Sequence, residues 1–264
     1  MDESLFQPRL FRSTVPYYAR YRLGYPDSLI QQVIDRVGLQ WGDMVLDLGC
    51  GPGLLAIPFA KAEMRVRAMD PEPDMIAAAK EAAQKAMVMI DLRLGSSFDL
   101  QESAGRFKLV AMGRSFHWMD RERTLAVLDQ IVLPDGAVAI FTDHHPDTVE
   151  NRWRDAVREV GARYGADYST WRRRRRDPDY RSHESLLLDS PFGRVEEMSV
   201  FVRNKLSIDD IIGRALSLSA TSPEKLGERR DAFEDDLRIE LGRIAPDGIF
   251  TEVAQIGASV ARRP

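Results

Sequence analysis

Val45-Leu46-Asp47-Leu48-Gly49-Cys50-Gly51-Pro52-Gly53 is the stretch whose reading decides the fold. Met44 to Leu48 is an apolar run of strand length that ends directly in glycines. That is the pattern of a buried parallel strand followed by a tight turn. Glycines there let the backbone turn sharply and approach a ligand with no Cβ in the way. So far this fits any nucleotide-like ligand. A dinucleotide fingerprint would want its third glycine at position 54, which is Leu54. Asp47, at the strand end, would repel a pyrophosphate and attract a ligand that is cationic at that point. The alternative is a plain strand–helix turn in which Asp47 binds loop amides.

Downstream, a helix is expected from about Leu54 to Ala62, a strand over Val66 to Asp70, and an alanine-rich helix from Pro73 to Lys85. Strands follow at Ile90 to Leu94 and Phe107 to Met112, then a helix from Arg121 to Ile131. Pro134-Asp135-Gly136 turns the chain into a fifth strand, Ala137 to Phe141. Upstream, Pro26-Asp27-Ser28 starts an amphipathic helix with Leu29, Val33, Ile34 and Val37 on one face and Gly38 near its end. Strands and helices alternating at this spacing predict right-handed βαβ units and a parallel sheet.

The alternation breaks near Asp143. Residues 144–190 are polar, arginine-rich and aromatic, with one helix suggested by Trp153, Val157 and Val160. It returns as a sixth strand at Met198 to Val202, helices around 207–217 and 223–243, and a last strand from about Phe250 to Ala261.

Asp70 ends the second strand about 20 residues beyond the glycines, where a ribose-binding acid belongs. A carboxylate there accepts hydrogen bonds from both ribose hydroxyls. Pro71 and Pro73 also suit Asp70 as a helix cap, and the two roles are compatible.

Composition narrows the class. Hydrophobic residues make up 44%, enough for a real core. A net charge of −4 argues against a dedicated nucleic-acid binder. The single cysteine, Cys50, excludes an intrachain disulfide. With no apolar N-terminal leader, this gives a cytoplasmic expectation. No apolar run approaches the length of a membrane span. The histidines, His117, His144, His145 and His183, form no Cys/His cluster of ligand spacing, so no metal is expected.

As a set, these segments resemble the class I methyltransferases that use S-adenosylmethionine (SAM). Asp47 to Gly53 is similar to their SAM-binding motif, and Met69-Asp70-Pro71-Glu72-Pro73-Asp74-Met75 to their second motif. Gly95-Ser96-Ser97-Phe98 resembles the loop at the adenine edge. Phe107-Lys108-Leu109-Val110 with Leu133-Pro134-Asp135-Gly136-Ala137 resembles strand four and the turn before strand five, Ala137 replacing a second glycine. The likeness covers residues 40–142. It implies an α/β, Rossmann-like fold with a mostly parallel seven-stranded sheet, and SAM as cofactor with S-adenosylhomocysteine as product. The ammonium and sulfonium of SAM suit Asp47.

Two further segments resemble small-molecule members of that group. Tyr17-Tyr18-Ala19-Arg20-Tyr21-Arg22-Leu23-Gly24-Tyr25-Pro26 is similar to an N-terminal element that folds over the cofactor as a lid, with Leu23 where proline is common. Arg22 would then pair with the SAM carboxylate and the tyrosines would form an aromatic wall. Plain core packing of the aromatics is the alternative. Gly113-Arg114-Ser115-Phe116-His117-Trp118-Met119-Asp120 lies beyond strand four, outside the carboxyl ends of the strands. His117 could take a proton from a substrate hydroxyl, or only shape the pocket.

The expected organisation is a lid segment over residues 1–26, a SAM-binding core over 27–143, a substrate cap inserted between strands five and six over 144–190, and the rest of the core over 191–264. The expected cofactor-binding residues are Tyr21, Arg22, Asp47, Gly49, Gly51, Gly53, Asp70, Met75, Ser97, Phe98 and Gly113, and the expected catalytic residues are His117, Tyr17 and Tyr21. His144, His145, Trp153, Tyr164, Tyr168, Trp171 and Tyr180 could line an acceptor pocket. The Arg172–Arg176 run is a solvated face, or a contact for an acidic substrate, a nucleic acid or a second subunit. The resemblance implies a small-metabolite acceptor, methylated at nitrogen or oxygen, with an amine of an antibiotic-like natural product preferred. An O-methyltransferase and a non-catalytic SAM-binding regulator are the rivals. A homo-oligomer is compatible with all of these.

Overall fold

The computed structural model describes residues 12–168 and 177–264. Phe6, Phe11, Trp171 and the Arg172–Arg176 run lie outside the described residues. The central feature is a seven-stranded sheet. Its strands in chain order are β1 (Met44–Leu48), β2 (Arg65–Asp70), β3 (Ile90–Leu94), β4 (Phe107–Gly113), β5 (Val132–His144), β6 (Arg194–Ser207) and β7 (Ile249–Arg262). Their order in space is β3-β2-β1-β4-β5-β7-β6. Strands β1 to β5 pair in parallel, and β7 runs antiparallel between β5 and β6. The order reverses between β1 and β4, and a crevice opens at the carboxyl ends of strands flanking such a reversal. Asp47 lies there, level with Ala68 of β2 and Ala111 of β4.

Alternate side chains of the central strands go to opposite faces, and both faces are covered. Val45, Leu109 and Ala139 join one buried cluster with helices α2 (Asp27–Val37) and α3 (Ala56–Lys61), through Leu29, Val33 and Phe59. Leu46, Val110 and Val138 join a second with α5 (Arg121–Ile131) and α7 (His183–Leu188), through Leu125, Leu128 and Leu187. This two-sided burial is why the strands read as continuous apolar runs. Helix α4 (Pro73–Lys85) buries Met75, Ala79 and Ala83, its start fixed by Glu72, whose side chain accepts from the Asp74 amide.

A third cluster is helical. It joins Trp153, Val157 and Val160 of α6 (Trp153–Arg163) with Ile211 and Ala215 of α8 (Ile208–Leu216) and with Phe233, Leu237 and Leu241 of α10 (Arg230–Ile244). The short α9 (Pro223–Leu226) adds Leu226, and Tyr17 of α1 (Val15–Tyr21) packs against the cluster. So the helical layer draws on the β6–β7 connection as well as on the 144–190 segment. A capping box between Ser207 and Asp210 fixes where β6 ends and α8 begins.

The strand boundaries differ from the sequence expectation in two places. β5 begins at Val132, with a register shift opposite Phe107/Leu109 that absorbs the expected Pro134–Gly136 turn. β6, expected over Met198 to Val202, runs from Arg194 to Ser207 and pairs with β7 from Arg194↔Arg262 to Ser207↔Ile249, while β7 lies within one residue of its expected ends. β6 is an edge strand whose charged residues alternate with half-buried apolar ones, which leaves only a short apolar signal. Among the described residues no helix is long and apolar enough to cross a membrane.

Candidate active site

The turn after β1 is held from two sides. Gly49 has φ +73°, and a Cβ there would lie 2.5 Å from that of Ser115, so only glycine fits. Ser115 Oγ donates to the Leu48 carbonyl at 2.7 Å, clamping the turn to the segment after β4. The Gly49 and Cys50 amides donate to the Met69 carbonyl at 2.7 and 3.0 Å, tying the turn to β2.

Asp70, at the end of β2, accepts the Gly51 amide on Oδ2 at 2.8 Å and the Glu72 amide on Oδ1 at 2.9 Å. A carboxylate has about four lone-pair sites, so two remain for further donors. Burial raises the Asp70 pKa, and the two amides oppose this. Asp47 is 1% exposed, with Oδ2 accepting the Ala56 amide at 2.9 Å. Its Oδ1 is buried without a hydrogen-bond partner among the described residues. Burial pushes the Asp47 carboxyl up to about 7, against the lowering effect of the Ala56 amide. A carboxylate oxygen so placed is completed by a cationic donor.

A cavity of about 300 Å³ lies over this turn. Of the residues expected to bind cofactor or act in catalysis, it brings together Arg22, Gly49, Gly51, Asp70, Met75, Ser97, Phe98, Gly113 and His117. Asp47 lines a small neighbouring space with Gly49, Gly51, Tyr18 and Gly113. Gly53 lines neither; its φ of +88° serves the turn itself.

Tyr17 and Tyr21 are placed elsewhere. The Arg230 guanidinium lies 5.5 Å from the centre of the Tyr17 ring. Tyr21 lies flat on α8, where a Cβ on Gly213 would come within 2.3 Å of its ring, and its carbonyl accepts from Arg214 Nε at 2.9 Å. Tyr18 faces the cavity in their stead, with the Arg22 guanidinium 4.9 Å from its ring centre. Positions 17 and 21 form one face of α1 and 18 and 22 the adjacent one. Helical spacing separates the pairs, but only the docking on Gly213 says which pair turns inward.

Arg114, in the segment directly after β4, carries no expected role from its sequence context. It has φ +57°, its amide donates to the Phe141 carbonyl at 3.0 Å, and its guanidinium donates to the Leu23 carbonyl at 2.8 Å. Its ion pair with Asp143, at 3.3 Å, is mostly buried. Arg22, Arg114 and Leu218 separate the first cavity from a second, of about 440 Å³, that reaches under α6 and α8. His117 lies beside Trp118, ring centres 4.9 Å apart, and near-parallel to His183 at 6.5 Å. It lines the first cavity and not the second. Among the described residues no group of His, Cys, Asp or Glu could hold a metal ion.

The residues present fit SAM. Asp70 has acceptor capacity left for ribose hydroxyls, and Asp47 Oδ1 lacks the cationic donor that an ammonium would supply. On a sheet of this order, such a site is that of a class I SAM-dependent methyltransferase. Similarity to known proteins agrees. Residues 45–136 match the family described as "Methyltransferase domain". An uncharacterized methyltransferase of Mycobacterium tuberculosis is 25% identical over 218 residues, covering 82% of this chain and 80% of that one. The ubiquinone biosynthesis O-methyltransferase of Rhodopseudomonas palustris is 34% identical over 125 residues, 47% of this chain and 46% of that one. A SAM-dependent methyltransferase from Geobacter sulfurreducens, solved with S-adenosyl-L-homocysteine, shares the fold, with a TM-score of 0.50, 18% identity and coverage of 98% and 100%. The chain is a class I SAM-dependent methyltransferase, an enzyme whose cofactor is SAM.

Proposed function

We propose that this enzyme methylates a nitrogen or oxygen atom of a small metabolite that enters through the second cavity. The observation that carries this reading is the pairing of two cavities across Arg22, Arg114 and Leu218, one with the glycine turn and Asp70, the other of a size for a compact acceptor. SAM, when bound, supplies an electrophilic methyl group on a sulfonium. Asp70 holds the ribose, Asp47 the ammonium and Arg22 the carboxylate of the cofactor. Met75, Ser97 and Phe98 form the adenine wall. Tyr18, between the Arg22 and Arg114 guanidiniums, closes the cofactor side of the passage.

The protein's task is then to align a nucleophile with the methyl group and exclude water. An oxygen acceptor fits the second cavity better than a protonated amine, because guanidiniums dominate its lining. An amine of an antibiotic-like natural product would have to enter as the neutral base. The reading is tested by supplying methyl-labelled SAM with panels of phenols, carboxylic acids and amines. Label must appear in a small-molecule product, and saturable SAM binding with no transfer to any acceptor would favour a non-catalytic SAM-binding protein.

A further inference from the structure

The second cavity carries a charge pattern that methyl transfer by itself does not require. Arg22, Arg114, Arg154, Arg158 and Arg214 all line it. Three carboxylates answer them, and all three are engaged. Asp143 pairs with Arg114. Glu252, fully buried, binds Arg214, His145 at 2.9 Å and Asn204 at 3.0 Å. Arg158, the most exposed of the five, pairs with Asp155 of its own helix.

Arg154 has no such partner. Half-buried, it makes no ion pair with a carboxylate and no hydrogen bond among the described residues, and its guanidinium lies 5.7 Å from the Trp153 ring centre. Burial lowers its pKa, and Arg158 and Arg214 lower it further against the pull of Asp143 and Glu252. The same cavity wall holds buried N–H donors with no acceptor among the described residues: Arg22 Nε, Arg114 Nε and Trp153 Nε1. A cation and donors withdrawn from water without acceptors are costly unless a ligand completes them. Facing them, Val157, Ile211, Ala215 and Leu218 give an apolar wall.

We propose that the second cavity binds a compact, partly apolar acceptor through an oxyanion, a carboxylate or a phosphate ester, and that Arg154 is the residue that receives it. The planar guanidinium fork matches both groups, and burial strengthens such charge-assisted bonds. The apolar wall takes the body of the acceptor. This rests on the reading of that cavity as the acceptor site.

The test is calorimetric titration of the protein saturated with S-adenosylhomocysteine, at low ionic strength, with benzoate, phenyl phosphate, benzamide and benzylamine. Benzoate or phenyl phosphate should bind at least about tenfold tighter than the neutral and cationic probes. Which of the two binds tighter distinguishes the oxyanions. Arg154→Gln should lose that preference, Arg154→Lys should keep part of it, and affinity for S-adenosylhomocysteine should stay the same in both, because Arg154 does not line the cofactor cavity. Benzamide binding as tightly as benzoate, no binding of any probe, or an unchanged preference in Arg154→Gln would overturn the proposal. Failure to bind S-adenosylhomocysteine would instead strike at the functional reading beneath it.

Discussion

The Asp70 carboxylate accepts the Gly51 amide at 2.8 Å, so the residue placed to hold the ribose also ties the end of β2 to the glycine turn after β1. One side chain therefore sets the shape of the cofactor cavity and supplies a contact within it. Asp70→Ala should weaken SAM binding by about 1–3 kcal/mol, because the hydroxyls lose their acceptor and the turn loses a tether. Calorimetry checks this. Unchanged affinity would remove Asp70 from the site.

Asp47 gives a pH dependence whose sign can be worked out. Its folded-state pKa, about 7, lies above the ordinary 3.8. Between those values the folded protein holds a proton that the unfolded chain has lost, so this group's contribution to stability falls as pH rises through that window. An ammonium against Asp47 Oδ1 reverses the preference and favours the carboxylate. SAM affinity should therefore rise with pH up to about 7, by at most about tenfold per unit, and then level off. Binding measured across pH 5.5 to 7.5, roughly the range in which such a carboxyl titrates, should show this slope in the wild type and a weakened one in Asp47→Asn. A flat wild-type profile would place the cofactor's charge elsewhere.

The docking of α1 on α8 depends on Gly213, where a Cβ would come within 2.3 Å of the Tyr21 ring. Gly213→Ala should push α1 outward at a cost of about 1–3 kcal/mol, displacing Tyr18 and Arg22 from the cofactor cavity. Its KM for SAM should rise, and protease cleavage within residues 14–26 should become faster. Tyr21→Ala should restore room and recover part of the loss. If Gly213→Ala has no effect on KM, α1 takes no part in holding the cofactor.

Much of this was legible in the sequence, for identifiable reasons. β1 and β4 are buried on both faces, so their apolar runs stand out, and the glycines mark a turn that no other residue could make. Asp70 could be placed because its distance from Gly51 is set by one βαβ unit. The inward face of α1 could not be read, since Tyr17/Tyr21 and Tyr18/Arg22 have identical spacing and a glycine almost 200 residues away decides between them. Arg154 and Arg214 line one cavity only because α6 and α8 join one helical cluster, although β6 separates them in sequence.

Glu252 is fully buried. Burial would raise its pKa, but the His145 hydrogen bond and the Arg214 charge hold it at about 2, below the ordinary 4.5. The stability it contributes is complete above about pH 4.5 and is lost as pH falls toward 2. Glu252→Gln should destabilise the protein at neutral pH by about 3–5 kcal/mol, because it leaves Arg214 without its buried counter-charge. Thermal unfolding should show the gap to wild type narrowing below pH 4.5, the usual Glu value given above. A gap that is constant with pH would mean that Glu252 acts through packing alone.

His117 lines the cofactor cavity without lining the second one, so His117→Ala should lower turnover by less than the roughly hundredfold that loss of a general base begins to cost. A larger loss with SAM affinity intact, and with a rate limb near the histidine pKa of about 6.5 removed, would make it the base.

A crystal structure of the protein with S-adenosylhomocysteine bound tests the central claim most directly. We expect both ribose hydroxyls within hydrogen-bond distance of the Asp70 carboxylate and the ammonium against Asp47 Oδ1. The sulfur should face the passage between Arg22 and Arg114. A cofactor seated with its ribose away from Asp70, or its amino-acid end away from Asp47, would contradict that claim.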